Sequence, residues 1–256
     1  MKHPSFASRI ILPLLLAGAF SAPCRLSAQT AVPAGALGTV EYEVRYKIMG
    51  IDTKVAVATI SLENGTWEGR PALHSHSVIR ANSVFKLFLN AEYVTDAYIT
   101  PDGKEPLYYI NPTRKGKKEG KFECSYDYKE GTIRSEYVRP PADPVVGTYS
   151  LDGNTMDLLS LLFSIRFNDI APGESRPMNL LMSGDCIAAT LTCQGIDKDR
   201  YPGVETKRLH LKMTGRGLME NGSGDEITVW CTTDSSHRLL GLETFLNSNP
   251  MVVSVQ

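Results

Sequence analysis

The sequence lacks a surplus of either charge and has only one long apolar run. Its 256 residues include 27 Lys and Arg against 28 Asp and Glu, so no basic excess indicates a surface for nucleic acid or for an anionic membrane. Charged residues make up 21% of the chain and hydrophobic residues 42%. This ordinary globular composition excludes disorder, collagen-like repeats and coiled coils as the main body.

The sequence motifs of common catalytic sites are also missing. The chain has no Gly-x-Ser-x-Gly elbow, no His-Glu-x-x-His pair and no phosphate-binding loop. The segment 234–237 reads Asp-Ser-Ser-His, but four adjacent residues cannot supply the converging side chains of a hydrolytic triad. We predict a turn there, and we predict no catalytic residues, no cofactor and no enzymatic activity.

The N-terminal residues have the three-part layout of a signal peptide. Lys2 and Arg9 precede the apolar run 10–20, which is too short for the roughly 20 residues of a spanning helix, and Leu26-Ser27-Ala28 follows. We predict cleavage after Ala28, which leaves a periplasmic or secreted protein without a transmembrane segment. A lipid-carrying Cys24 is the alternative, but Pro23 occupies the place where lipidation needs a small residue.

Most of the mature chain alternates between apolar and polar residues. Residues 29–38 indicate a linker, and from residue 39 the odd–even alternation over 40–48 predicts a strand with one buried face. Further strands are predicted at 54–62, 72–80, 92–100, 107–110, 121–128, 132–138, 176–182, 186–195, 205–214, 226–233, 238–246 and 251–255. Asn64-Gly65 and residues 114–120 are predicted turns, prolines 140, 141 and 144 are expected to break the sheet, and glycines 215–224 indicate a hairpin loop. At 82–89, crowded apolar residues indicate a helical turn or a bulged strand.

Residues 156–167 are predicted to form a helix that is apolar nearly all round. Asn154 or Thr155 is expected to cap it, and Asp157 is expected in its first turn. Such a helix has to be covered on most sides. We therefore predict one domain over 39–256, mainly β, in which a strongly curved antiparallel sheet or open barrel of about a dozen strands surrounds one buried helix. A two-sheet sandwich is the alternative.

Three further groups of residues could carry chemistry. His74 and His76 share one strand face, but the neighbours on that face are Ala72, Val78 and Arg80, which supply no third metal ligand; we predict no metal site. A basic cluster, diluted by two glutamates, is predicted to be a solvated loop; it comprises Arg114, Lys115, Lys117, Lys118 and Lys121. Three cysteines fall on apolar positions of their strands and are predicted to be buried thiols without disulfides; they are Cys124, Cys193 and Cys231.

From residue 39 onward, the order of features resembles a bacterial family of exported proteins, domain-of-unknown-function family 3108. The residues that carry the resemblance are Val40-Glu41-Tyr42-Glu43-Val44, Met49-Gly50-Ile51, Phe85, Phe88, the strand 93–99, Asp157-Leu158-Leu159-Ser160, Ile165-Arg166, Val229-Trp230, Asp234, His237 and Arg238. Cys231 and Leu239-Leu240 depart from the family pattern. The resemblance implies an envelope location and a β-rich fold, and it implies no activity.

Together these features favour an exported, non-catalytic envelope protein whose curved sheet binds an apolar or amphiphilic ligand, such as a lipid. The alternative is a structural or partner-binding envelope protein whose interior is fully packed with its own side chains. The sequence names no ligand-binding residue for either function.

Overall fold

The part of the chain that the structure describes forms a single large sheet with one short helix. The computed structural model describes residues 37–82, 92–115, 118–167, 170–214, 225–234, 237–246 and 248–256. Within these ranges the strands are β1 Gly38–Ile48, β2 Ile51–Trp67, β3 Arg70–Ala81, β4 Glu92–Ile99, β5 Pro106–Lys115, β6 Lys118–Asp127, β7 Thr132–Val138, β8 Val145–Ser150, β9 Thr155–Asp157, β10 Ser175–Met182, β11 Asp185–Asp197, β12 Thr206–Met213, β13 Glu226–Thr232, β14 Leu239–Leu246 and β15 Asn249–Val255. The helix α1 spans Leu158–Phe167.

All fifteen described strands belong to one sheet with a simple order. Each strand from β1 to β8 pairs with the next, as does each strand from β9 to β15, and β1 pairs with β15 to join the two series. Every pairing is antiparallel except that of β9 with β10. The two edge strands come close to the opposite end of the sheet, because Tyr126 on β6 hydrogen bonds to Asp157 on β9 and Tyr149 on β8 donates to the carbonyl of Gly184. The sheet is therefore nearly closed into a barrel, which confirms the mainly β, strongly curved prediction.

The strict alternation predicted from the sequence appears in the burial of the strands. In β4, Tyr93, Thr95, Ala97 and Ile99 are buried and the residues between them are exposed or half-buried. Bulges interrupt the register, for example between Val44 and Arg45 and between Cys193 and Gly195. Such bulges bend a sheet, and the bend allows the buried faces to meet in one core.

The hairpin of β2 and β3 corrects the turn prediction at Asn64-Gly65. These residues lie inside β2, where Gly65 is opposite Ala72 on β3. The chain reverses instead at Glu68-Gly69, where both residues have positive φ. Two consecutive residues of positive φ make the two-residue turn whose twist matches that of the flanking strands. As a consequence β2 continues past Glu63 to Trp67 and lies beside the whole length of β3.

The helix is shorter than predicted and less central. Met156 and Asp157 belong to β9, and Asp157 rather than Asn154 or Thr155 caps α1, because its Oδ1 accepts the Ser160 amide proton at 2.8 Å. The described side chains of α1 are buried, but the ten-residue helix packs mainly against β4, β9 and β10. Most of the core comes from strands. The prediction that the sheet surrounds one central helix is therefore not supported.

Two strands were missed by the sequence analysis. β8 begins directly after Pro144, so the prolines at 140–144 interrupt the sheet without ending it, and β9 has only three residues. Residues 114–120, predicted as a turn, are mostly the ends of β5 and β6.

Four predicted features lie outside the described residues: the signal peptide, the linker up to residue 36, the segment 83–89 and the glycines 215–224. Within the described ranges, no helix has the length and apolarity that crossing a bilayer requires.

Candidate functional site

The interior of the barrel has two different walls. On the strands β10 to β15 the core side chains are mostly aliphatic, among them Leu180, Ile187, Leu191, Leu209, Leu211, Ile227, Val229, Leu242 and Val253. Four polar residues on these strands are also buried, namely Thr206, Lys207, Thr232 and Thr244. On β3 to β6 and on β9, buried polar side chains stand among the apolar ones. We call the following set the inner polar strip: Ser75, Ser77, Thr95, Tyr109, Asn111, Tyr126 and Asp157.

The strip begins with two serines on β3. Ser75 and Ser77 alternate with the core residues Leu73 and Ile79, and their exposed fractions are 0% and 1%. Neither hydroxyl has a hydrogen-bond partner within the part of the chain that the structure describes. A buried hydroxyl without a partner costs about 1–3 kcal/mol. Both hydroxyls therefore carry this cost in the part of the chain that the structure describes.

The strip continues across β4 and β5. Thr95 lies directly opposite Ser77, and Asn111 on β5 donates through Nδ2 to Thr95 Oγ1 at 2.7 Å and to the carbonyl of Val94 at 3.2 Å. Tyr109 lies on the same face of β5 as Asn111 and is fully buried. Burial raises the pKa of Tyr109 well above its ordinary value, and the nearby Asp157 carboxylate raises it further. The phenol of Tyr109 is therefore a neutral donor at physiological pH.

The strip ends at a buried carboxyl group. Asp157 Oδ2 accepts hydrogen bonds from the hydroxyls of Tyr126 and Ser160, each at 2.6 Å, and the Tyr126 hydroxyl also accepts the Asp157 amide proton at 2.9 Å. Burial raises the pKa of Asp157, against the opposing effect of its hydrogen bonds. Carboxyl groups with a shifted pKa are common at functional sites. Here Asp157 also fixes the first turn of α1 against β6.

The inner polar strip carries hydrogen-bonding groups and no basic side chain. Hydroxyl, phenol and amide groups can donate and accept hydrogen bonds, and the strip contains no Lys or Arg that would pair with an anion. The other half of the sheet supplies a mostly aliphatic wall. The interior therefore combines a polar side with an apolar side.

The sequence-predicted groups lie away from this strip. His74 and His76 are on the opposite face of β3, where both contact Asp96. Asp234 and His237 form the predicted turn, since the His237 amide donates to the Asp234 carbonyl at 3.1 Å, while 235 and 236 are outside the described residues. In the basic cluster Lys121 pairs with Glu123 at 2.8 Å, as a solvated charge would; the remaining members have no described side chains.

The cysteines agree with the sequence prediction. Cys124, Cys193 and Cys231 are buried, Cys186 is exposed, and none of the four takes part in a disulfide. Burial raises the pKa of the Cys124 thiol. Cys124 lies opposite Tyr109, which places it beside the inner polar strip.

The inner polar strip was not predicted from the sequence, although a signal for it was present. The buried face of β3 reads Leu73, Ser75, Ser77, Ile79, so two polar residues occupy positions where the alternation predicts apolar ones. Asn111 and Asp157 could not be connected with them, because their contacts depend on strands and helix ends that are distant in the sequence.

Comparisons with known proteins find one family and similar solved structures, of which two are described first. A crystal structure of a β-barrel-like protein of domain of unknown function DUF1849 from Brucella abortus has 10% sequence identity and a TM-score of 0.49, covering 85% of this chain and 95% of that one. The crystal structure of LprF from Mycobacterium bovis has 11% identity and a TM-score of 0.31, covering 86% of this chain and 84% of that one. A comparison with curated proteins finds no match. The model of DUF3108, a family described as proteins of unknown function, matches residues 41–252, and the chain therefore belongs to the DUF3108 family.

Proposed function

We propose that this DUF3108 protein is an exported, non-catalytic envelope protein that binds an amphiphilic molecule inside its nearly closed sheet. The apolar part of the ligand would contact the aliphatic wall on β10 to β15. Its polar end would hydrogen bond to the inner polar strip.

The observation that carries this proposal is the pair of buried hydroxyls on β3. Ser75 and Ser77 are completely enclosed, yet neither hydroxyl has a partner among the described residues. Native interiors satisfy the large majority of their buried polar groups. Packing alone does not explain the two serines, because alanine has nearly the same volume and no hydroxyl to bury. A polar ligand group would explain both hydroxyls, because it would supply their hydrogen-bond partner.

The experiment uses the untagged mature chain, purified from the periplasmic fraction. Native mass spectrometry is expected to show a population heavier than the polypeptide by the mass of a lipid. Titration with a dansyl-labelled fatty acid is then expected to give saturable fluorescence that the co-purified lipid displaces.

The double variant Ser75→Ala, Ser77→Ala separates ligand binding from folding. Because it removes two unpaired hydroxyls without changing the packing, it should fold at least as stably as the parent and bind the dansyl probe about tenfold more weakly. Ser125→Ala, on the outward face of β6, is the matched control and should bind normally. If no lipid co-purifies and the probe does not bind, the interior is fully packed and the structural or partner-binding alternative replaces this proposal.

A further inference from the structure

The outer face of β2, β3 and β4 carries a compact group of metal-ligating atoms. His74 Nε2 and His76 Nδ1 each lie 2.8 Å from Asp96 Oδ1, and the three ligand atoms are all within 4.8 Å of one another. We propose that His74, His76 and Asp96 bind a divalent cation of the zinc class, at a site separate from the barrel interior.

Cross-strand register brings the three ligands together. His76 lies directly opposite Asp96 in the antiparallel pair of β3 and β4, and His74 is two residues away on the same face of β3. β3 alone supplies no third ligand, and the neighbouring strand β4 supplies it as Asp96. All three residues are on paired strands, whose backbones hold the ligands more firmly than a loop would.

A second carboxylate and an aromatic ring position His74. Glu63 on β2 lies opposite His74, and its Oε1 is 3.4 Å from His74 Nδ1. The ring of Tyr98 stacks on the His74 ring at a centroid distance of 4.6 Å and an angle of 10°. A carboxylate on one imidazole nitrogen directs the lone pair of the other nitrogen toward the metal, which is the usual outer-shell arrangement of histidine ligands.

The stacking continues beyond His74 and makes this region of the surface rigid. Trp67 stacks on Tyr108 with ring centroids 4.3 Å apart and contacts Tyr98 at 4.8 Å. Tyr108 in turn donates to Glu123 at 2.9 Å. The aromatic rings therefore support one side of the proposed site and reduce the freedom of the His74 side chain before any ion binds.

The charges around the cluster favour a cation. Asp96 and Glu63 contribute two carboxylates. The basic residues on the same face of β3 lie four residues away at each end, Arg70 from His74 and Arg80 from His76, and Arg80 pairs with Glu92 at 2.9 Å. The side chains of His74, His76 and Asp96 are 20%, 41% and 28% exposed. An ion can therefore reach the ligands from solvent.

The donor set selects the class of metal. Two imidazoles and one carboxylate suit Zn²⁺ and its borderline neighbours, whereas Mg²⁺ and Ca²⁺ prefer oxygen ligands alone. Three protein ligands leave a fourth position of a tetrahedral site for water or for a group from a bound molecule.

The test titrates the untagged mature chain, freed of metal, with ZnCl₂ by isothermal titration calorimetry, and with CoCl₂ by visible absorption. We expect one equivalent of Zn²⁺ to bind and the cobalt complex to show the intense bands of a four-coordinate site. His76→Gln and Asp96→Asn should each weaken Zn²⁺ binding at least tenfold, and circular dichroism should show that both variants remain folded.

Two further variants complete the test. Glu63→Gln should weaken binding by about tenfold while the cobalt spectrum keeps its shape, because Glu63 positions a ligand without contacting the ion. His210→Gln is the matched control, since His210 is a partly exposed histidine whose Nε2 lies 3.5 Å from a single carboxylate, Glu226; it should bind Zn²⁺ as the parent does. No stoichiometric binding, or binding that survives Asp96→Asn unchanged, would overturn the proposal.

Discussion

Replacing Asp157 with alanine removes the polar contacts that join α1 to β6. The variant loses the hydrogen bond from the Ser160 amide, which caps the helix, and leaves the hydroxyls of Tyr126 and Ser160 without their acceptor. Loss of a cap costs about 1 kcal/mol, and each hydrogen bond to a charged group contributes about 1.5–3 kcal/mol. Relief from burying the carboxyl group offsets part of this sum, so we expect a loss of about 3 kcal/mol in the free energy of unfolding.

Thermal unfolding followed by circular dichroism measures this loss. For a domain of this size, 1 kcal/mol shifts Tm by about 2–4 °C, so Asp157→Ala should melt about 6–12 °C below the parent. Asp157→Asn keeps the capping oxygen and the side-chain volume, and it should lose only about 1 kcal/mol. If Asp157→Ala melted within about 2 °C of the parent, the hydrogen bonds of Asp157 would not stabilise the fold.

The pH dependence of the same pair tests the raised pKa of Asp157. An unfolded aspartate has a pKa of about 3.9, and burial raises the folded value above it. The native state therefore binds the proton more tightly, so the contribution of Asp157 to stability is greatest below the unfolded pKa and declines as the pH rises through the folded pKa. The stability difference between the parent and Asp157→Asn should shrink from pH 4 to pH 8. A difference that grew with pH would mean that the fold stabilises the anion and lowers this pKa.

The remaining predictions concern the core, the thiols and the N-terminus. Leu162→Asp places a carboxylate at a side chain that is 3% exposed and should abolish soluble export, because burying it costs several kcal/mol; exposed Glu119→Ala should stay within about 0.5 kcal/mol of the parent, and a Leu162→Asp protein melting within a few degrees of the parent would show that α1 is not buried. Thiol titration of the mature chain should find one accessible group, Cys186, in buffer and about four in denaturant without reductant, since burial hides the other three; a mass indicating two disulfides would contradict this. N-terminal sequencing of the exported protein should begin at Gln29, whereas a lipid-modified Cys24 would contradict cleavage after Ala28.

The fold was predictable wherever one strand face is buried. The alternation of 40–48 and 92–99 identifies β1 and β4 because burial on one side selects apolar residues at every second position. β8 gives no such signal, since Val145 and Val146 are both about half exposed at the edge of the sheet. The start of α1 was misplaced because Met156 and Asp157 are compatible with a helix locally, and only the parallel pairing with β10 assigns them to β9.

The two proposed sites were harder to predict because both depend on register between strands. Asp96 is twenty residues from His76, and nothing in the local sequence states which residue of β4 lies opposite it. The same holds for the hydrogen bond from Asn111 to Thr95 and for that from Tyr126 to Asp157, which spans 31 residues. Periodicity gives the face on which a residue lies, whereas register follows from turn geometry along the whole sheet.

The two proposals use opposite faces of the same strands, and this makes them separable. On β3, Ser75 and Ser77 point into the core while His74 and His76 lie outside, and on β4 Thr95 and Asp96 divide in the same way. Because successive side chains of a strand occupy opposite faces, a substitution on one face leaves the groups on the other in place. The serine variants should therefore bind Zn²⁺ normally, and His76→Gln should bind the fatty-acid probe normally. If either change weakened the binding of Zn²⁺ and of the fatty-acid probe equally, it would act through the stability of β3, and the direct contact proposed for that variant would be wrong.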